Sequence, residues 1–254
     1  MAHQHLHPEL LHLQRLAKDL EHPEPTMLNG TAAIPGIGFF PAAWGSTEPS
    51  AAIAGRPVMV LGQDQDNRTG FVSSLRKGYE TYSPTWRNLL ALFAAAAIPL
   101  EACFFTNFIM GIRVGSGRST GPSPALAHPP FMRACAELFL EQLRLQQPRV
   151  IITLGMVPFQ LLALVSTDLR YRALGITDFE AMDARGLQIN TNVVFDAARG
   201  TTTTVVPICH PCLPQNGRRR AFSNATQYAS EAAMLMYVMD TYVPDTALSG
   251  ALNR

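Results

Sequence analysis

Three side chains able to bind or titrate stand directly after apolar runs in this chain: Asp64, Asn107 and His210. The first closes Pro57-Val58-Met59-Val60-Leu61-Gly62-Gln63-Asp64, and a polar cluster, Gln65-Asp66-Asn67, follows at once. A buried parallel strand reads this way when it hands functional groups to a loop at its carboxyl end. In open α/β sheets ligands bind in the crevice outside those ends. An acid, an amide and an imidazole gathered there, three hydrogen-bonding residues at three strand ends, form a site hypothesis. Taken alone, Asp64 reads more readily as a helix N-cap or turn aspartate. Convergence of the three is what makes a site.

Convergence requires a particular set of elements. Strands are expected at Val58–Gly62 and over residues 103–109, 149–155 and 203–209, ending in Gln63-Asp64, Asn107, Gly155 and Cys209-His210-Pro211. Helices are expected over 84–97, 130–146 and 157–165, and over 223–242 after the last strand. Pro84 and Pro130 stand where proline suits a first helical turn. Strands joined by helix-length connections predict a three-layer α/β/α sandwich around a central four-stranded parallel sheet, with all four carboxyl ends on one edge. Residues 166–200 are less regular and read as an insertion packed beside the sheet.

The division expected is an N-terminal helix and Pro/Gly-rich extension over 1–50, an α/β domain over 51–245 and a tail over 246–254. Leu10, Leu11, Leu13, Leu16 and Leu20 make residues 8–20 a candidate amphipathic helix, closed by Pro23 and Pro25. His3, His5, His7 and His12 crowd its start and read as a solvated tail, with metal ligation the sharper alternative. The 254 residues are 47% hydrophobic and 15% charged, the composition of a core-rich globular protein. A formal net charge of +1 supplies no global basic field, so any polyanion contact must rest on local patches. No apolar stretch approaches the roughly 20 residues of a membrane span. Four cysteines are too few for a disulfide scaffold, and a cytoplasmic monomer is expected.

Together these stretches resemble the uracil-DNA glycosylase superfamily over residues 56–242. In its best-known branch the first motif is Gly-Gln-Asp-Pro-Tyr-His, and here Gly62-Gln63-Asp64-Gln65-Asp66-Asn67 stands in its place. That branch has a strand ending in Asn with Arg six residues on, the spacing of Asn107 and Arg113. Its last motif is His-Pro-Ser, a loop, then a Phe-Ser helix start; here the text is His210-Pro211-Cys212, a loop, then Phe222-Ser223-Asn224. Residues 135–155 look more like the iron–sulfur branch of the same superfamily.

The resemblance implies a DNA glycosylase that flips a uracil or a modified pyrimidine out of DNA and hydrolyses its N-glycosidic bond. Asp64 would position the attacking water and stabilise the oxocarbenium-like sugar. His210 would donate to the oxyanion developing on the leaving base. Asn107 would pair with the base edge and Gln63 would contact it through backbone groups. Phe71 is the expected aromatic platform, with Tyr79 and Tyr82 as competitors. In the loop after His210, Leu213 would wedge into the duplex and Arg218, Arg219 and Arg220 would meet phosphates. Ser116, Arg118 and Ser119 could add phosphate contacts. The expected partner is DNA, single- or double-stranded, with no metal and no organic cofactor.

Asp66 departs from the pattern. It stands where the best-known branch has a tyrosine whose bulk excludes 5-substituted bases. Three readings follow: a roomier pocket, selection of a polar 5-substituent by Asp66, or another side chain filling the space. The cysteines depart from the iron–sulfur branch: Cys135 matches a ligand position, but the paired N-terminal cysteines are missing and Gly111-Ile112-Arg113 occupies another ligand position. Cys135 is expected as a core thiol. Cys209-His210-Pro211-Cys212 follows the last strand and leads into a loop, the wrong context for a redox pair. The rival reading is a member of the same fold that recognises a base without excising it; a more distant one is a soluble nucleoside or nucleotide hydrolase.

Overall fold

The computed structural model describes residues 8–24, 26–28, 55–77, 83–114, 121–195, 202–212 and 228–244. In chain order they form α1 (Pro8–Lys18), β1 (Met27–Leu28), β2 (Val58–Gly62), α2 (Arg68–Lys77), α3 (Pro84–Ala95), β3 (Cys103–Asn107), β4 (Ile112–Arg113), α4 (Pro129–Gln146), β5 (Val150–Leu154), α5 (Met156–Leu162), α6 (Thr167–Arg172), α7 (Phe179–Ala184), β6 (Asn190–Val194), β7 (Thr202–Ile208) and α8 (Glu231–Tyr242).

Strands β2, β3 and β5 are buried along their whole length, which is why they read as unbroken apolar runs. Alternate residues serve opposite faces. Met59 and Leu61 join a core with Leu13 of α1, Phe139 of α4 and Phe159 of α5. Val58 and Val60 join a second core with Trp86, Leu89 and Phe93 of α3 and with Met234, Leu235 and Val238 of α8. The Trp86 and Phe105 rings sit 5.0 Å apart in that second core. Helices therefore cover both faces of the sheet.

The sheet order is β3-β2-β5-β7-β6, with the first four strands parallel and β6 antiparallel to β7. It has five strands, not the four expected. β6 comes from the segment read as an insertion. It carries no apolar run to mark it as a strand: Asn190-Thr191-Asn192-Val193-Val194 is only partly buried, and its pairing slips between Asn190 and Val193, where Asn192 takes a φ of 54°. The chain steps from β2 outward to β3, then crosses back over β2 to β5. A topological switch point therefore lies between β2 and β5.

Element ends differ modestly from expectation. The last helix starts at Glu231 because the Ser230 hydroxyl accepts from the Ala233 N–H and caps it there. Helix α2 was not foreseen. Gly70, Thr69, Val72 and Ser73 are weak helix formers, but the Asn67 side chain accepts from the Gly70 N–H at 2.9 Å and opens the helix.

The described part of the N-terminal segment is built into the domain. Helix α1 packs on α4, with Leu13 fully buried. β1 pairs antiparallel with β4, and His22 bridges the Leu20 and Met110 carbonyls at 2.8 and 2.9 Å. Among the described residues, no helix is long and apolar enough to cross a membrane.

Candidate active site at the carboxyl edge of the sheet

Gly62 closes β2 and faces Asn107, the last residue of β3, in register. Beyond them the two chains keep pairing. Phe108 and Ile109 donate their N–H groups to the Gly62 and Gln63 carbonyls at 3.0 and 2.9 Å, and Gln65 and Arg113 donate to Gly111 and Asp66 at 3.1 and 2.8 Å. The loop carrying Asp64 is thus held by backbone bonds on both sides of the acid.

Its side chain is held as firmly. Arg113 Nε donates to Asp64 Oδ2 at 2.6 Å, and the Ser123 hydroxyl donates to the same carboxylate. The Asp66 N–H reaches Asp64 Oδ1 at 3.4 Å. The Asp64 side chain is only 5% exposed and that of Arg113 11%. Burial pushes the Asp64 carboxyl above the ordinary aspartate range, while the Arg113 charge and these hydrogen bonds pull the other way. Arg113 Nη2 also donates to the Gly121 carbonyl at 2.9 Å. With its amide oxygen turned to these donors, Gln63 accepts from the Ser123 N–H and from Arg113 Nη2. The Gln63 side chain therefore supports the loop.

His210 follows β7 and is mostly buried. Desolvation pushes its imidazole down to about 4, so it is neutral at physiological pH. The Cys212 N–H lies 3.3 Å from Nδ1. That bond makes Nδ1 the acceptor and leaves Nε2 carrying the proton. Neighbouring elements hold the loop: Asn88 of α3 donates to the Pro211 carbonyl at 2.6 Å, and Glu231 of α8 accepts from the Cys209 N–H at 2.7 Å.

Between the Asp64 and His210 loops lies the end of β5, so β2 and β7 stand two strand spacings apart, roughly 10 Å. Gly155 closes β5 with a φ of 94°, and a Cβ built there would meet His210 Cβ at 3.4 Å. The strand between the loops of the acid and the imidazole thus ends in a glycine that abuts His210.

Asn107 reaches the same edge but is buried, at 3% exposure. Phe71 lies on α2, also buried, against Ile112 and Leu28. Asp66 takes a left-handed φ of 64°, and its carboxylate rests against Gly70 in the first turn of α2. It also lies close enough to raise the Cys212 thiol, which burial raises first and a hydrogen bond with Thr85 of α3 lowers. The loops after β2 and β7 and the start of α3 therefore meet. Leu213, Arg218, Arg219, Arg220, Ser116, Arg118, Ser119, Tyr79 and Tyr82 lie outside the described residues.

Arg113, Ser123, Asn88, Glu231 and Gly155 hold this edge together without having been singled out as site residues. Only Arg113, six residues beyond Asn107, left a readable signal. Cys135 lies in the core, its thiol pushed up to about 12 by burial, and Cys103, Cys135, Cys209 and Cys212 are in no disulfide. Among the described residues, no group of three or more His, Cys, Asp or Glu could hold a metal. Compared with known proteins, the chain matches no family model and no curated sequence.

Proposed function

We propose that this chain is a DNA glycosylase with a uracil-DNA glycosylase-like fold, acting on uracil or a modified pyrimidine flipped out of the helix. One observation carries the reading furthest. A neutral imidazole with its proton on Nε2 and a buried carboxylate stand after β7 and β2, on either side of the strand that ends at Gly155, beside the switch point of a parallel sheet. Hydrolysis breaks the bond between the base nitrogen and the sugar C1′ and joins a water oxygen to C1′. The electron pair leaves with the base. Asp64 stabilises the cationic sugar and takes the water proton. His210 Nε2–H donates to the base oxygen that gathers charge; one such donor is worth about 10²- to 10³-fold in rate. A neutral donor fits this role because it needs no proton to be supplied. Asn107 would reach the base only through its buried side chain.

A second reading is favoured by the Asp64–Arg113 pair. A carboxylate 5% exposed and bonded to a guanidinium suits a protein that recognises a base without hydrolysing it. Asp64→Asn separates the two under single-turnover conditions. The glycosylase reading expects excision to fall at least 100-fold with DNA binding retained. A wild type that binds but releases no base would establish the second reading.

A further inference from the structure

We infer that Met27 is a positioning residue for Asp64, packed against the three groups that hold the acid and its loop. This rests on the glycosylase reading and extends it to the N-terminal segment, far from Asp64 in sequence.

Three holds fix the Asp64 loop. The Gln65 N–H donates to the Gly111 carbonyl at 3.1 Å. Arg113 Nε donates to the Asp64 carboxylate at 2.6 Å. Ser123 donates its hydroxyl to that carboxylate and its N–H to the Gln63 amide oxygen. Met27 meets all three. Its backbone stands opposite Arg113 in the antiparallel β1–β4 pair, and the neighbouring Thr26 carbonyl accepts from the Val114 N–H at 3.0 Å. Its Sδ lies 3.9 Å from the Ser123 hydroxyl. Its Cε lies so near Gly111 that a Cβ built there would stand 3.0 Å away.

Each contact has its own consequence. The Ser123 hydroxyl has one proton, and its oxygen accepts from the Ala125 N–H at 3.4 Å. A carboxylate is a stronger acceptor than a thioether, so the proton goes to Asp64 and the sulfur packs against the hydroxyl. Gly111 is a tight point as well, since His22 Cδ2 and Phe131 Cζ would lie 3.3 and 3.4 Å from the same Cβ. Met27 is fully buried there, and an unbranched, polarizable side chain suits an irregular gap between two loops. Truncating it leaves a cavity into which Ser123 and the Gly111 loop can shift, and Asp64 shifts with them.

The test separates positioning from folding. Single-turnover excision at saturating enzyme is measured beside affinity for a duplex holding one 2′-fluorinated, excision-resistant uridine, and beside the urea midpoint. Met27→Ala should slow excision about tenfold or more with affinity within about twofold of wild type, because misplacing a reacting group by about 1 Å costs up to about 100-fold. Met27→Leu refills the space and should return the rate to within about threefold of wild type. Leu169→Ala empties the same core on α6, which packs on β6 at the far edge of the sheet, and should lower the urea midpoint without slowing excision. Gly111→Ala presses on Met27 from the other side and should also lose rate at retained affinity; it serves where Met27→Ala does not fold. A folded Met27→Ala or Gly111→Ala that excises at the wild-type rate overturns this inference alone, as does a Leu169→Ala that loses as much rate as Met27→Ala. Wild type that excises no base overturns the functional reading together with it.

Discussion

Burial disfavours the charged form of both His210 and Asp64 and so moves their pKa values in opposite directions: the imidazole is held neutral, and the carboxyl is made a stronger base than a solvated aspartate. For His210 the folded value is about 4 against roughly 6.5 in the unfolded chain. Between those values the unfolded state binds more protons, so its stabilising contribution is complete above about pH 6.5 and lost as pH falls toward 4. Urea unfolding of wild type and His210→Gln at pH 7 and pH 4.5 should show wild type losing up to about 3 kcal/mol more than the variant. Equal losses would show that His210 is solvated. At Asp64 the sign is reversed. Removing the guanidinium takes away the largest influence opposing burial, so Arg113→Gln should move the acid limb of the excision rate to higher pH, and Arg113→Lys should move it part of the way back. A limb that stays put in both variants would show that Arg113 serves folding alone.

At the scale of elements, the edge is a set of strand ends held by helices. With φ 94° and ψ 178° Gly155 occupies backbone space that is essentially glycine's alone, where an alanine costs about 1–3 kcal/mol, and it abuts His210. Gly155→Ala should lower stability by that amount, read from urea midpoints, and reduce excision further by displacing the imidazole. Asn88→Ala, which frees the Pro211 carbonyl, should slow excision while leaving the unfolding midpoint within about 1 kcal/mol. The four parallel strands were legible because burial on both faces writes itself as an apolar run, and Asp64, Asn107 and His210 were legible because they interrupt such runs. The hydrogen bonds that orient them were not. Asn88 lies in mid-helix and Glu231 at a helix start, positions where polar residues are ordinary and carry no signal. Likewise β6 and α2 depend on tertiary pairing and a single cap, not on periodicity. Phe71 was legible as an aromatic near the first motif, but its burial against Ile112 and Leu28 depends on β1 and β4, two-residue strands that leave no pattern.

For the whole molecule, the described N-terminal residues share the domain's core, since Leu13 of α1 is fully buried among α4 residues and sheet residues. Leu13→Ala should cost about 2–5 kcal/mol in unfolding free energy, where an appended helix would lose almost nothing. Two cores also meet across the one sheet that carries the candidate edge, a frame that suits a site whose donors must be in place before charge develops. Base release is the event that decides between the two readings. End-labelled oligonucleotides carrying uracil, thymine opposite guanine, or bulky 5-substituted pyrimidines, treated with the protein and then alkali, read it directly as strand cleavage. A glycosylase cleaves at uracil or at a 5-substituted pyrimidine, and Asp64→Ala and His210→Ala both lose that cleavage; no cleavage of any substrate by folded, DNA-binding wild type would overturn the glycosylase reading.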